Sequence, residues 1–212
     1  MNHWCKGFKC RHGATIHILK IKQLPTQHII TRPRIRPIRQ VKAKHNIVGC
    51  KWVYKLGGDA NCNISRYKAR LVAQGFSQQP GTDFDEIFSP VVRYDSLRLL
   101  TALSISLGWQ QPDQLDIKGA FLYGYLNEEI YMKLPPGYKE HEPPAGFCAR
   151  LNKSIYGLKQ SPRQWYQRLT GFLIPLGFVT TNFDPCVLIH RGHQLIIAIY
   201  VDDITIAGFF LF

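Results

Sequence analysis

No apolar run in the 212-residue sequence is long enough to cross a bilayer, since a transmembrane helix needs roughly 20 apolar residues in succession. The longest run, residues 195–201, is followed directly by Asp202 and Asp203. The first residues, MNHWCKGFKCRH, carry charges where a signal peptide needs an apolar segment. These absences predict an intracellular protein, cytoplasmic or nuclear, that is neither secreted nor inserted in a membrane.

Acidic residues are missing from the first 50 residues, which hold 11 Lys and Arg. The other 16 basic residues are offset by all 14 acidic residues, so the rest of the chain is nearly neutral. Residues 1–44 show no sustained periodicity and contain prolines at 33 and 37. We therefore predict a basic, disordered arm over residues 1–44 and a folded domain over residues 45–212. The arm is either a solvated extension or a segment that binds polyanions by releasing their counterions.

The six cysteines are scattered along a chain without a secretion signal, which favours reduced thiols over disulfides. Cys5, Cys10 and His12, with His3 nearby, form the one cluster that resembles a zinc site. A second pair of ligands at the usual spacing does not follow this cluster. We therefore do not predict a zinc site.

Local patterns within residues 45–212 predict an α+β fold. The segments IVGCKWVYKL and RYKARLV have the composition of two strands, and the glycines between them supply a hairpin turn. QLIIAIY and ITIAGF have the pattern of two further strands near the end of the sequence. Two helices are predicted, starting at Asp95 or Ser96 and at Ser161, and ending at Gly108 and Gly177.

Three aspartates stand beside apolar strands. Asp202 and Asp203 separate the last two strands, and Asp116 follows an apolar residue in QLDIKG. Aspartate in a turn between strands is also an ordinary structural choice, so the pattern alone leaves both interpretations open. If the strands bring the three carboxylates together, they repel one another unless divalent cations neutralise them. Two magnesium ions held by such oxygens are typical of phosphoryl or nucleotidyl transfer.

The segment Tyr200-Val201-Asp202-Asp203 resembles the YVDD box of reverse transcriptases. The surrounding blocks resemble the copia type of LTR retrotransposon and cover about residues 47–208 in the order of that family. They are GCKWVYKL, SRYKARLVAQGFSQQPGTDFDEIFSPVVRYDSLRLL, QLDIKGAFLYGYLNEEIYMKLPPGY, RLNKSIYGLKQSPRQWYQRL and LGFVTTNFDPCVLI. A series of linked blocks is stronger evidence than a four-letter box, so the sequence is identified as a member of this family.

The resemblance implies a right-hand polymerase architecture, with an antiparallel palm sheet backed by helices and a fingers subdomain, truncated before the thumb. It implies an RNA-directed DNA polymerase that transfers nucleotides from dNTPs to a primer 3′-hydroxyl by two-metal catalysis. The implied partners are dNTPs and an RNA or DNA primer–template, and the implied cofactors are two Mg²⁺ ions, with Mn²⁺ as an alternative. The oligomeric state stays open.

The resemblance also assigns site residues. The implied metal ligands are Asp116, Asp202, Asp203 and the backbone carbonyl of Ile117. Phe121 matches the bulky residue that lies under the sugar and excludes a 2′-hydroxyl, with ordinary core packing as the alternative. The residues that match the nucleotide- and template-contacting segment are Tyr156, Gly157 and Gln160, and those that match the triphosphate-binding fingers strand are Lys68 and Arg70. Trp52 and Tyr54 either stack on template bases or pack in the core.

The sequence departs from the family pattern in several places. Gly119 and Tyr123 stand where the family usually has Thr and Asn, and Pro112 adds a residue before Asp116. A loop or bulge before Gln114 must absorb that residue, because a one-residue slip turns every side chain of a strand to the other face. Since the sequence also stops just past the YVDD hairpin, we expect weak or no polymerase activity. The rivals are a non-catalytic nucleic-acid-binding relic that uses the basic arm and a reading frame that is rarely expressed.

Overall fold

The computed structural model describes residues 37–38, 45–58, 64–138, 147–190 and 192–208. The chain forms two compact units, of which the first contains residues 90–119 and 169–208 and the second contains residues 37–89 and 120–168. The basic arm predicted over residues 1–44 lies outside the described residues except for positions 37–38. The cluster of Cys5, Cys10 and His12 lies outside them as well. No disulfide joins the three described cysteines, Cys50, Cys148 and Cys186, to one another.

The structure has eleven strands and two α-helices among the described residues. In chain order they are β1 (Pro37–Ile38), β2 (Ile47–Val48), β3 (Cys50–Gly58), β4 (Ile64–Ala73), α1 (Tyr94–Ser106), β5 (Asp113–Asp116), β6 (Tyr125–Lys133), β7 (Cys148–Lys153), α2 (Ser161–Leu173), β8 (Phe178–Thr180), β9 (Val187–His190), β10 (Leu195–Tyr200) and β11 (Asp203–Gly208). The mixture of helices and sheets confirms the α+β class and is compatible with a reverse transcriptase domain.

The first unit is built on a five-stranded sheet in the order β5–β11–β10–β9–β8, with every neighbouring pair antiparallel. The predicted hairpin of β10 and β11 is confirmed. Ile197, Ile204 and Ile206 are almost completely buried, as are most residues of both strands. Strands covered on both faces are expected to be continuously apolar, which is why these two lack polar alternation. Helix α1 contacts the same two strands.

The start of α1 differs from its prediction. Neither Asp95 nor Ser96 caps the helix, which begins at Tyr94, and the residue before it makes no side-chain capping hydrogen bond. Instead, the buried carboxylate of Asp184 accepts hydrogen bonds from the Arg93 N–H at 2.9 Å and the Ser96 hydroxyl at 2.7 Å. A negative charge at this end of a helix is favourable. The predicted cap was wrong because the stabilising group comes from a distant part of the chain.

The end of α2 follows its prediction closely. The helix starts at Ser161 and runs to Leu173, after which a 3₁₀ turn over Ile174–Leu176 contains Pro175. A proline lacks the N–H that would continue the α-helical bonding pattern, which accounts for the change. Gly177 then adopts φ 97°, a left-handed conformation that favours glycine.

The second unit contains a four-stranded sheet in the order β1–β7–β6–β2 and a separate two-stranded hairpin of β3 and β4. The predicted hairpin is confirmed, although its first strand is interrupted at Gly49, and β2 pairs instead in parallel with β6. The core of this unit consists of buried apolar side chains from the four-stranded sheet, the end of β4 and the segment that follows β7: Val48, Ala73, Ile130, Met132, Leu151, Ile155 and Leu158. The hairpin is also bonded to the segment that follows β6, because Trp52 Nε1 donates to the Pro136 carbonyl at 3.1 Å.

Candidate active site

Two of the three predicted carboxylates stand opposite each other in the first unit. Asp116 ends β5, Asp203 begins β11, and the two are directly paired in the antiparallel ladder. Directly opposed residues project from the same face of a sheet, with Cβ atoms about 4.5–5.5 Å apart. Asp202 occupies the two-residue turn before β11, and its carbonyl accepts a hydrogen bond from the Ile117 N–H at 2.9 Å. The four predicted metal-ligand positions are therefore adjacent along one edge of the sheet.

The extra residue before Asp116 is absorbed outside the strand. Residues 109–112 lie in the loop between α1 and β5, and the Trp109 N–H donates to the Ser104 carbonyl at 2.8 Å. Within β5, Leu115 is opposite the buried Ile204, whereas Asp116 is exposed. Because successive residues of a strand alternate between faces, Asp116 projects from the face of β5 opposite to that of Leu115.

The turn between β10 and β11 holds an unusual backbone conformation. Val201 has φ 55°, and among the described residues it alone combines a positive φ with a side chain. A β-branched residue pays roughly 1–2 kcal/mol to enter this region. A positive φ at the first central position matches the twist of a two-residue hairpin, so the turn presents Asp202 at its tip. Gly119, one of the departures from the family pattern, adopts φ 71°, which glycine tolerates without this cost.

The charges at this edge are mutually repulsive. Burial and the negative charges of Asp202 and Asp116 raise the pKa of Asp203 above its ordinary value. Among the described residues, no Lys, Arg or His forms an ion pair with any of these three carboxylates. The described residues also contain no group of three or more His, Cys, Asp or Glu side chains close enough together to hold a metal ion. The edge therefore has the charge and the oxygen donors that suit a divalent cation, without a preformed coordination shell.

The remaining predicted site residues belong to the second unit. Lys68 and Arg70 lie on one face of β4, opposite Lys55 and Val53 of β3. The Arg70 guanidinium stands over the Tyr156 ring, 5.6 Å from its centre.

Trp52 and Tyr54 occupy the other face of the hairpin, since strand residues alternate. Tyr54 is 74% exposed, and Trp52 is 36% exposed. The two roles predicted for this aromatic pair were stacking on template bases and packing in the core. Neither side chain is completely buried in a core.

Phe121 lies in a 3₁₀ turn, Ala120–Tyr123, and is half-buried. Its ring meets the Tyr156 ring edge-on, with centres 5.3 Å apart and an interplanar angle of 71°. Edge-to-face contacts of this kind are favourable and fix the relative orientation of two rings. Two predicted nucleotide-binding residues are thus in direct contact with each other.

Gly157 and Gln160 make close contacts inside the protein. Gly157 has φ 90°, and a Cβ atom there would lie 2.1 Å from the Ala73 carbonyl oxygen, so only glycine fits. Gln160 is completely buried. Its amide group donates to the Asp83 carbonyl at 2.8 Å and accepts from the Gln78 side chain at 3.0 Å. The side chain predicted to touch a nucleotide is therefore enclosed by protein, where it connects the loop before α1 to the start of α2.

Sequence reasoning missed Ser154 in this region. It follows β7 directly, is completely buried, and donates from its hydroxyl to the Phe121 carbonyl. The signal available was weak, because a serine after a strand is an ordinary turn residue. Only the contact with a residue 33 positions away distinguishes it.

A family model described as reverse transcriptase (RNA-dependent DNA polymerase) matches residues 37–209. The chain belongs to this family. It is a reverse transcriptase domain of the copia type, as the sequence blocks predicted. No solved structure matches the chain. No helix among the residues that the structure describes has the length and apolar character needed to cross a membrane.

The relatives are retrotransposon polyproteins. The chain is 49% identical over 162 residues to the "Retrovirus-related Pol polyprotein from transposon TNT 1-94" of Nicotiana tabacum, a match that covers 75% of the chain and 12% of the relative. It is 43% identical to the polyprotein from transposon RE2 of Arabidopsis thaliana, with 76% of the chain and 11% of the relative covered. It is 30% identical to the Ty1-DR4 Gag-Pol polyprotein of Saccharomyces cerevisiae, a match that covers 95% of the chain and 11% of the relative. The chain therefore spans only about a tenth of the length of these relatives.

Proposed function

We propose that this domain is an RNA-directed DNA polymerase of weak activity, which joins dNTPs to a primer 3′-hydroxyl on an RNA or DNA template. The observation that carries the proposal is the pairing of Asp116 with Asp203 across β5 and β11, next to Asp202 in the turn. Asp116, Asp202 and Asp203 form no ion pair with a described cationic side chain. Their proximity does not stabilise the fold, because like charges repel. A cationic ligand would relieve the repulsion.

The proposed cofactors are two Mg²⁺ ions, with Mn²⁺ as an alternative. Asp116, Asp202, Asp203 and the Ile117 carbonyl are the groups that would hold them, since hard oxygen donors suit these cations. When bound, such ions activate the attacking hydroxyl and stabilise the leaving pyrophosphate. The protein's own contribution is the positioning of these oxygens by the β5–β11 ladder and by the Ile117–Asp202 backbone hydrogen bond.

The second unit supplies the proposed nucleotide contacts. Lys68 and Arg70 share one face of β4 and carry positive charges suited to a triphosphate. Phe121 is proposed to lie against the sugar, and Tyr156 and Gly157 to contact the incoming nucleotide or the template. For Gln160 we propose an indirect role, because its hydrogen bonds to Asp83 and Gln78 hold the segment that carries Tyr156 and Gly157. In polymerase terms, we assign the five-stranded sheet to the palm and the β3–β4 hairpin to the fingers.

Primer extension tests the proposal. The purified chain is incubated with a primer–template, dNTPs and Mg²⁺, beside Asp202→Asn and the control Asp95→Asn. Asp202→Asn is expected to lower extension by at least about a hundredfold, because a metal ligand contributes several kcal/mol to transition-state stabilisation. Asp95→Asn should leave extension unchanged, since the Asp95 side chain is 93% exposed on α1. Extension that persists in Asp202→Asn, or its absence in the unsubstituted chain, would contradict polymerase activity.

The second candidate is nucleic-acid binding without catalysis, which the concentration of 11 basic and no acidic residues in the first 50 positions favours. Deleting residues 1–44 would also remove β1, which pairs with β7. Replacement of Lys20, Lys22, Arg32 and Arg34 by Gln leaves that strand in place. If the variant loses salt-sensitive RNA binding and the unsubstituted chain extends no primer, this second function is supported over the first.

A further inference from the structure

Ser154 bonds the segment that carries Phe121 at two points. Its N–H donates to the Gly124 carbonyl at 2.9 Å, and its hydroxyl donates to the Phe121 carbonyl. Ser154 is completely buried, so water does not compete for either bond. A buried hydrogen bond that loses its donor leaves an unsatisfied carbonyl, which is costly. Ser154 therefore attaches this segment at both the Phe121 and the Gly124 carbonyl.

The fit around Gly124 reinforces this attachment. A Cβ atom added to Gly124 would lie 2.8 Å from both the Ser154 hydroxyl oxygen and the Gln164 side chain. Real Cβ atoms essentially never approach so closely. The segment can therefore approach Ser154 only because position 124 has no side chain.

The side chain of Phe121 is held from the same direction. Tyr156, two residues after Ser154, meets the Phe121 ring edge-on, with ring centres 5.3 Å apart. The Arg70 guanidinium stands over the Tyr156 ring, 5.6 Å from its centre. Ser154 thus fixes the backbone of Phe121, and Tyr156 fixes its ring. Residues 154–156 form a clamp on Phe121.

We propose that Ser154 is a positioning residue for sugar discrimination, acting through Phe121 with Tyr156 as its partner. This inference rests on the proposed function, in which Phe121 lies against the nucleotide sugar. Rejecting one hydroxyl group by steric exclusion requires a ring that is held within about 0.5 Å, because a mobile ring moves aside. Neither Ser154 nor Tyr156 needs to contact the 2′-position for this role.

The test compares Ser154→Ala with Ser104→Ala. Ser104, on α1, is a matched control, because it is also buried and its hydroxyl also donates to a backbone carbonyl outside the clamp, that of Leu100 at 2.8 Å. Hydrogen exchange is measured at the amides of residues 120–124, and the ratio of ATP to dATP dissociation constants is measured on the same proteins. We expect Ser154→Ala to accelerate exchange about tenfold and to lower the ratio severalfold, whereas Ser104→Ala changes neither.

Tyr156→Leu is the second variant, and it keeps the test decisive if Ser154→Ala fails to fold. It should lower the ATP-to-dATP ratio while leaving exchange at residues 120–124 unchanged, because the Ser154 hydrogen bonds remain. Unchanged exchange in a folded Ser154→Ala protein overturns the clamp, and so does an equal change in Ser104→Ala. If both nucleotides bind but neither variant alters the ratio, the selectivity role is wrong. If the unsubstituted chain binds neither nucleotide, the proposed function fails, and the exchange result still decides the clamp.

Discussion

Asp184 and Asp203 are aspartates beside strands of the same five-stranded sheet, yet their surroundings differ completely. Asp184 is 3% exposed and accepts hydrogen bonds from the Arg93 N–H, the Ser96 hydroxyl and the Cys186 N–H. Asp203 is exposed and stands opposite Asp116. The first carboxylate is satisfied by the protein, whereas the second faces other carboxylates.

The pKa shifts of the two residues have opposite signs. Burial alone would raise the pKa of Asp184, but three hydrogen bonds and the charge of Arg93 outweigh burial and hold it below its ordinary value. Burial and the charges of Asp202 and Asp116 raise the pKa of Asp203. Asp184 therefore stabilises the fold, whereas the repulsion among Asp116, Asp202 and Asp203 costs stability, as expected for the cation-binding role proposed for these three residues.

The largest effect is expected for Asp184→Asn. The substitution removes the charge from a buried acceptor of three hydrogen bonds and should lower the free energy of unfolding by about 2 kcal/mol. Urea denaturation measures the change, with Asp95→Asn as the control, in the first turn of the helix whose start Asp184 bonds. Asp95 is exposed and pairs with Arg98 on the surface, so its replacement should cost less than about 0.5 kcal/mol. Equal effects of the two substitutions would contradict the role of Asp184.

The pH dependence of stability provides the next effect. Since the pKa of Asp184 is lowered in the folded state, its contribution is fully present above the unfolded value of about 4 and is lost as the pH falls through the folded value. The unsubstituted protein should therefore lose more stability than Asp184→Asn does as the pH falls below about 5. Urea denaturation across this range measures the difference. Parallel stability curves for the two proteins would show that Asp184 is not the responsible group.

A smaller effect of opposite sign is expected at the carboxylate turn. Val201→Gly removes a side chain from a positive-φ position and should raise the free energy of unfolding by about 0.5–1 kcal/mol. Val179→Gly, a change of the same two residue types within β8, should lower it instead, because glycine weakens a regular strand. A loss of stability in both variants would show that the turn is not strained.

The smallest effect is expected for Asp203→Asn. Removing one of the repelling charges should raise the free energy of unfolding, by no more than about 0.5 kcal/mol. The gain is small because Asp203 is exposed, and solvent screens exposed charges. Thermal unfolding at neutral pH measures the change. A loss above about 1 kcal/mol would mean that Asp203 has a structural partner and would remove the contrast with Asp184.

Several elements were predictable because their signals are local. Ser161 begins α2, Pro175 lies in the 3₁₀ turn that follows it, and Gly177 ends that turn, and each acts through its own backbone preference. The β10–β11 hairpin follows from two apolar runs separated by two residues. Propensity and chain connectivity were sufficient in these places.

Other features were not predictable because they depend on partners far away in the sequence. The group that stabilises the start of α1 is Asp184, which lies 91 residues beyond Arg93. Gln160 stands in a motif that suggested contact with a nucleotide, but its amide is enclosed between Gln78 and Asp83. No local pattern distinguishes an exposed glutamine or aspartate from a buried one that is fully hydrogen-bonded.

The amino-acid sequence by itself determined the family, the order of the main strands and helices, and the positions of the three acidic residues. Those properties depend on residue types and short spacings. Only the tertiary structure decided that Asp116 stands opposite Asp203, that Asp184 is a structural acid, and that Ser154 holds Phe121. The physical reason is that charge repulsion, burial and hydrogen bonding depend on distances through space, which folding sets between residues distant in the chain.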